Sequence, residues 1–350
     1  MTLTIRRLRA QPVDLALSAP VETAAGVMRT APLVLVDLET DEGVTGRSYV
    51  RTYTPLALAA TARLIADLEQ LVVGAAAEPE AVEAKLRAQF RLVGQQGLAS
   101  IAVAAIEMAV WDACARAAGV PLVVLLGGEP RPIRAYATLR TMHPQRAATE
   151  AEALVARGFG GVKLKLGAGD LAADLAAIRA VRGAIGNEPE LMVDYNQSLS
   201  VDEALQRVQA LDDEGLAWIE EPTRADDYDG HTRIAATAAT PVQLGENWWG
   251  PEDMEKSVAA RASDYVTLDV MKLGGVGGWL RAARIAEGAG LPASSHTFPE
   301  LSVQLLALTP TCHWLEYLDH AGPILSEPVR IENGHAHPAD ATGSGLEWKV

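Results

Sequence analysis

Residues 190–197 read Glu190-Leu191-Met192-Val193-Asp194-Tyr195-Asn196-Gln197: three apolar residues run into an acid, and polar groups follow at once. An apolar run bounded by turn-forming residues reads as a buried strand, and a buried strand that ends in a carboxylate presents that carboxylate at its tip. The device recurs. Leu216-Ala217-Trp218-Ile219 runs into Glu220-Glu221-Pro222, Val242-Gln243-Leu244 passes through Gly245 into Glu246, and Tyr265-Val266-Thr267-Leu268 runs into Asp269. The acids Asp194, Glu220, Glu246 and Asp269 stand 26, 26 and 23 residues apart, which is about one strand plus one helix each time. An alternating β/α array that closes as an eight-stranded barrel gathers its strand tips at one face, where such barrels carry their chemistry. Helix capping explains any one acid of this kind but not four in register.

Working outward, the strand–helix alternation runs from residue 133, with strands expected at 133–138, 161–165, 190–194, 216–220, 242–246, 264–269, 291–295 and 313–317. Helices are expected between them, for example over 170–185, 201–211, 251–260 and 278–289. Residues 131–320 therefore read as an α/β domain, a modified (β/α)8 TIM-type barrel carrying the site. Residues 1–130 read differently. Strands at 2–9, 32–38 and 44–50, with a turn at Asp41-Glu42-Gly43, precede helical periodicity over 55–73, 79–92 and 100–118, the mark of an α+β capping domain. Between the first two strands, residues 19–31 are expected to be a loop carrying Val21, Ala24, Ala25, Gly26, Val27 and Met28, either a mobile lid over a ligand or a segment packed on the cap. Residues 321–350, rich in Pro and Gly with strand-like pieces at 329–332 and 346–350, are expected to return to the capping domain.

The chain has 350 residues and a formal charge of −15, which argues against nucleic acid or an anionic membrane surface as partner but not against a small carboxylate substrate. Two cysteines, Cys114 and Cys312, provide no disulfide framework, and Cys114 falls in a helical apolar pattern. Residues 1–7 lack the apolar stretch of a signal peptide, and no uninterrupted apolar run reaches membrane-spanning length, so a soluble cytoplasmic protein is expected.

Three carboxylates from adjacent strand tips, Asp194, Glu220 and Glu246, offer hard oxygen donors suited to Mg2+. Alternation along the strand lets only one of Glu220 and Glu221 face the centre, and the register with Asp194 selects Glu220. Val162-Lys163-Leu164-Lys165 puts two lysines on one face of the second strand, where neighbouring positive charge lowers the pKa of a candidate base. His296 ends the seventh strand beside Asp269 at the end of the sixth, a pairing that fixes the imidazole tautomer and makes a second general acid/base. Glu316 ends the eighth strand, where a protonated carboxyl would donate to an oxyanion. The other histidines, His231, His313, His320, His335 and His337, lack such a setting and are expected to be structural or on the surface. Together these groups describe removal of a proton next to a carboxylate, with Mg2+ and Lys163 stabilising the enediolate.

The chain resembles the enolase superfamily, mandelate racemase subgroup, nearly end to end. The resemblance is carried by residues 30–35 (Thr-Ala-Pro-Leu-Val-Leu), 192–199 (Met-Val-Asp-Tyr-Asn-Gln-Ser-Leu), 218–223 (Trp-Ile-Glu-Glu-Pro-Thr), 245–248 (Gly-Glu-Asn-Trp), 271–276 (Met-Lys-Leu-Gly-Gly-Val), 294–296 (Ser-Ser-His) and 311–319. It implies a capping domain on a modified barrel, Mg2+ on Asp194, Glu220 and Glu246, Lys165 as the base for an S enantiomer and His296–Asp269 for the R enantiomer. It also implies Glu316 as the acid, Lys163 and Asn196 as polarising groups, and a homo-oligomer, often an octamer. The substrate side departs from the racemase that names the subgroup. Arg51 replaces an aromatic residue while Tyr53 is retained, Thr138 keeps a hydroxyl, and Leu139 replaces an imidazole. Arg51 either accepts a second anionic or polar group or points to solvent. Val21, Val27, Met28, Arg51, Tyr53, Thr138 and Leu139 are the expected substrate contacts. The function expected is a racemase of a 2-hydroxy acid, mandelate or a close aryl analogue. The alternatives are a sugar-acid (aldonate or aldarate) dehydratase using the same proton abstraction and a non-catalytic binding barrel.

Overall fold

The computed structural model describes residues 2–24 and 26–349; Ala25 of the lid segment and Val350 of the tail lie outside the described residues. The cap begins with β1 (Ile5–Thr23), β2 (Gly26–Thr40) and β3 (Thr45–Arg51), an antiparallel sheet in the order β1-β2-β3. The segment expected to be a loop is instead the tip of the β1–β2 hairpin, in which Val21 pairs with Met28, Glu22 with Val27 and Thr23 with Gly26 after a register shift beyond Ala16. The β-branched Val21, Thr23 and Val27 favour extended backbone, so the alternation of the first strand simply continues outward.

Two helices, α1 (Pro55–Val72) and α3 (Leu98–Ala118), pack on this sheet; α2 (Pro79–Gln89), between them in sequence, packs on α3 and α1, and the short α4 (Leu122–Leu125) follows. Thr54 caps α1 by accepting from the Leu56 amide, with Pro55 in the first turn where its missing N–H costs nothing. Among the described residues, α3 is the one helix long and apolar enough to cross a membrane, but 78% of its most apolar window is buried inside the protein, as the core helix of the cap.

The barrel strands are β4 (Ile133–Thr138), β5 (Gly161–Lys165), β6 (Glu190–Asp194), β7 (Ile219–Glu220), β8 (Val242–Leu244), β9 (Tyr265–Leu268), β10 (Ala293–Ser295) and β11 (Leu315–Tyr317). They pair in parallel in sequence order from β4 to β10, and β11 pairs back onto β4. The Ser295 amide donates to the Trp314 carbonyl at 2.9 Å and the His313 amide to the Ala293 carbonyl at 2.8 Å, which joins the seventh strand to the eighth. Seven helices alternate with the strands: α5 (Pro144–Ala156), α6 (Leu171–Ile185), α7 (Val201–Leu211), α8 (Tyr228–Ala235), α9 (Pro251–Ala260), α10 (Val276–Ala289) and α11 (Pro299–Leu308). Among the described residues no eighth α-helix follows β11. The chain makes a 3-10 turn at Gly322–Ile324 and a small hairpin, β12 (Arg330–Glu332) with β13 (His335–His337), and β13 pairs antiparallel with the start of β4. The last residues then lie on the cap, where Glu347 pairs with Arg47 and Arg116, Trp348 Nε1 donates to Asp37 at 3.0 Å, and Ser344 donates to Asp112 at 2.7 Å.

Alternation along the strands builds the barrel interior in two layers. Tyr136, Met192, Trp218 and Trp314 form a buried aromatic floor, with Tyr136 edge-on to Trp218 at 5.4 Å and to Trp314 at 6.3 Å. Two residues further along the same strands stand Thr138, Asp194, Glu220 and Glu316. A period of two puts each of these on the same face as the floor residue below it, so the apolar layer directly supports the charged one.

Candidate active site

The carboxylates of Asp194, Glu220 and Glu246 each offer an oxygen within 4.8 Å of the others, and all three are buried. Asp194 is anchored by the Asn196 amide at 2.7 Å and side chain at 2.8 Å. Glu220 accepts from Trp218 Nε1 and Gln243 Nε2, both at 3.0 Å, through one oxygen and from Lys163 Nζ at 2.9 Å through the other. Glu246 follows Gly245, whose φ of 137° and close approach to the Thr267 carbonyl and the Trp248 ring exclude any side chain there. Glu221, just past the end of β7, is not one of the three clustered acids and accepts from Asn247 Nδ2 at 2.7 Å. Burial, with Asp194 and Glu246 close by, pushes the Glu220 carboxyl above the ordinary range despite Lys163. Three buried acids held together, with lone pairs left over, form a donor set that fits a hard divalent cation.

Lys165 Nζ lies 2.8 Å from Asn196 Oδ1 and 3.3 Å from Asp194 Oδ2. Lys163 is different. Its ammonium sits 2.9 Å from both Glu220 and Glu316 and 3.8 Å from Asp194. Burial opposes its charge, but Glu220 and Glu316 more than offset this and hold its pKa well above the usual lysine range. The lowering of the Lys163 pKa expected from the sequence is therefore not found, because three carboxylates surround its ammonium.

His296 Nδ1 lies 2.6 Å from Asp269 Oδ2, forming the expected dyad, and Nε2 lies 3.4 Å from Glu246. Burial opposes protonation of His296, while Glu246, Asp269 and Glu316 favour it and raise its pKa overall. Asp269 is itself held by the Lys272 amide at 2.9 Å and by Tyr53 Oη at 3.3 Å. Glu316 departs from expectation. It accepts from Thr138 Oγ1 at 2.6 Å, Lys163 Nζ at 2.9 Å and the Thr297 amide at 3.1 Å, and although burial favours its neutral form, Lys163 and His296 pull its pKa well below the usual range. These surroundings favour the charged form of Glu316, whereas the sequence suggested a protonated donor.

Of the expected substrate contacts, Met28, Arg51 and Tyr53 come together, Val21 pairs with Met28 across the hairpin, and Thr138 donates to Glu316 at the barrel strand tips. Val21 is buried, Met28 Sδ accepts from Arg51 Nη2 at 3.1 Å, and the Arg51 guanidinium lies 4.6 Å over the Tyr53 ring. Val27 and Leu139 do not join them. Each is the neighbour of an inward residue and points the other way: Val27 is 53% exposed, and Leu139 is sealed in the apolar core. Arg51 is only 5% exposed, so it does not point to solvent.

Sequence reasoning missed three further groups. His320 is buried with neither ring nitrogen partnered, and burial together with the charges of Arg51 and His296 pushes its pKa well down. Thr297 is buried with Oγ1 unpartnered, and Lys272 Nζ lies 4.5 Å from the Tyr53 ring. The available signal for His320 was its position four residues past Glu316. Six of the eight described non-glycine residues with positive φ also surround the site: Tyr53, Asn196, Gln197, Glu221, Thr297 and Phe298. Backbone strain of this kind concentrates where side chains must be aimed.

The hairpin tip is fastened over the barrel mouth. Glu22 accepts from Arg146 Nη2 at 2.6 Å, Thr141 Oγ1 at 2.7 Å and the Met142 amide at 3.0 Å, and its own amide donates to the Arg140 carbonyl at 2.7 Å.

Comparison with known proteins agrees with this geometry. Residues 6–127 match the mandelate racemase / muconate lactonizing enzyme N-terminal domain, and residues 146–350 match the enolase C-terminal domain-like family. The chain belongs to the enolase superfamily, in the mandelate racemase subgroup, and is a Mg2+-binding enzyme of that group. An enolase from Bradyrhizobium, solved with magnesium and mandelic acid, is 42% identical with a TM-score of 0.95 over 100% of this chain and 97% of its own. The L-talarate/galactarate dehydratase of Salmonella typhimurium is 33% identical over 73% of this chain, a match that spans 65% of that protein's length. The 3,6-anhydro-alpha-L-galactonate cycloisomerase of Streptomyces coelicolor is 30% identical over 93% of this chain and 91% of its own length. The relatives include dehydratases, cycloisomerases and epimerases, which share the fold and differ in the reaction they catalyse.

Proposed function

We propose that the chain is a racemase that removes the α-proton of a 2-hydroxy carboxylate and returns a proton to the opposite face. The observation that carries this reading is the placement of two candidate bases on either side of the acid cluster: Lys165 beside Asp194 at 3.3 Å and His296 beside Glu246 at 3.4 Å. Bound at Asp194, Glu220 and Glu246, Mg2+ supplies positive charge to the substrate carboxylate as it gains electron density. One base takes the α-hydrogen, and the C–H electron pair moves into the carboxylate to give an enediolate. The conjugate acid of the other base then donates a proton to carbon, so the centre inverts and no atom is lost. Lys163 and Asn196 supply further positive potential, and the closed hairpin tip keeps water from the enediolate.

A second reading, dehydration of a sugar acid, is favoured by the buried polar groups Arg51 and His320 and by the likeness to L-talarate/galactarate dehydratase. After the same proton abstraction, protonated His296 would give its proton to a leaving 3-hydroxyl, the β C–O bond would break, and water would depart.

The test is proton NMR of the Mg2+-loaded protein in D2O with (R)- and (S)-mandelate and with aldonates and aldarates. Loss of the α-proton signal with inversion supports the racemase, and formation of a 2-keto-3-deoxy acid supports the dehydratase. Exchange that survives in a Lys165→Ala, His296→Ala double variant would overturn the assignment of both bases. The reading includes a homo-oligomer, supported by the exposed Leu92 and Val93 and tested by light scattering.

A further inference from the structure

We infer that the mouth of the barrel holds a second anion subsite, formed by Arg51 with His320, that takes the distal carboxylate of a hydroxy diacid. This rests on the reading of the chain as an enzyme that abstracts the α-proton of a 2-hydroxy carboxylate, and it names the far end of that substrate. Arg51 and His320 are each only 5% exposed. The guanidinium has one weak acceptor, Met28 Sδ at 3.1 Å, and the face of the Tyr53 ring at 4.6 Å, while its Nε has no partner. Among the described residues, no carboxylate lies within ion-pair distance of Arg51. The contrast with other shielded arginines is direct: Arg116 and Arg207 each hold a carboxylate, Asp112 and Asp174 respectively. A buried cation without a counter-ion is unfavourable, and a buried donor without an acceptor points to a group that arrives with a ligand.

Position makes that ligand the substrate. Arg51 stacks on Tyr53, whose hydroxyl reaches Asp269, the partner of His296, so one aromatic ring separates the guanidinium from the dyad. His320 stands four residues past Glu316, beyond the tip of the eighth barrel strand, buried and with both ring nitrogens free. A substrate with its reacting carbon at His296 extends its far end to these two groups. A planar guanidinium fork matches a carboxylate through two parallel hydrogen bonds, and a neutral imidazole adds a third donor. An apolar far end would leave all of these groups unpaired, which is the strongest form of discrimination a site can exert.

The experiment measures binding to the Mg2+-loaded protein by titration calorimetry with two matched pairs: galactonate against galactarate, and mandelate against 4-carboxymandelate. Within at least one pair the diacid is expected to bind roughly ten- to a hundredfold more tightly. Arg51→Met is expected to abolish that preference and Arg51→Lys to keep part of it. Should Arg51→Met fail to fold, His320→Leu takes its place, with a smaller loss of preference expected. Equal binding of monoacid and diacid in both pairs, a preference that persists in Arg51→Met, or one that is undiminished in His320→Leu, overturns the subsite. Proton exchange in D2O separates this from the parent reading. Exchange without diacid preference refutes the subsite alone, whereas diacid preference without α-proton exchange on any ligand refutes the catalytic reading and leaves the anion subsite standing.

Discussion

Replacing Asp269 by Asn keeps the size of the side chain and removes the charge that faces His296. Asp269 is fully buried, and its Oδ2 lies 2.6 Å from His296 Nδ1. At that separation a unit charge pair with an effective dielectric near 20 attracts by about 6 kcal/mol. Part of this survives, because Glu246 at 3.4 Å and Glu316 at 3.8 Å still face Nε2, and the amide oxygen of Asn can accept from the ring. The amide N–H of Lys272, which donates to the other oxygen, Oδ1, competes for the single acceptor oxygen of Asn, and this favours the orientation that breaks the dyad. A residual loss of about 3–5 kcal/mol corresponds to a rate reduction of roughly 10²–10⁴, the usual worth of a general base. The assay follows α-proton exchange in D2O separately from each enantiomer of a 2-hydroxy acid that the protein turns over. Exchange through His296 falls by that factor, while exchange through Lys165 changes by less than about tenfold. Equal falls from both enantiomers with unchanged Mg2+ affinity, or no fall from either, would refute the two-base reasoning.

Three further outcomes follow from the same contacts. Lys163→Met leaves the buried carboxylates of Glu220 and Glu316 without their shared cation, so urea unfolding of the Mg2+-free variant shows a loss of about 3–5 kcal/mol, part of it restored by Mg2+. Saturating Mg2+ at a hundredfold excess over its Kd stabilises the folded chain by about 2.7 kcal/mol, a rise in Tm of about 4 °C for cooperative unfolding of this length; Glu246→Gln abolishes the rise in a calorimetric scan. The Glu22 latch contributes at neutral pH. The Thr141 hydroxyl, with the Met142 amide and Arg146, lowers the Glu22 pKa, so its contribution is fully present above the ordinary glutamate value and is lost as pH falls through the lowered one. The hydrogen-exchange protection factors over residues 16–24 and 26–30, corrected for the intrinsic rate, therefore fall on acidification, and Glu22→Gln raises KM by less than about tenfold with little change in kcat.

The barrel was legible because its strands are short apolar runs at regular spacing, and a period of two settled which residue of each pair faces inward. From the sequence alone that rule selects Glu220 over Glu221 and places Lys163 and Lys165 on one face. The same periodicity, carried one step further, would have turned Val27 and Leu139 away from the site, as the structure does. The hairpin tip was misread because small and apolar residues around Gly26 look alike in a loop and in an extended strand; the cross-strand pairing that distinguishes them is not local. Protonation states belong to the tertiary structure entirely. Lys163 and Glu316 come from strands 153 residues apart in sequence (163 to 316), and only closure of the barrel, with β11 against β4 and β4 against β5, brings them within 2.9 Å, where each favours the charged form of the other. The fate of Arg51 was decided the same way. The sequence determined that a cation stands where an aromatic ring was expected, but burial is a property of the assembled cap and barrel, and it took their contact to enclose that cation with no carboxylate beside it.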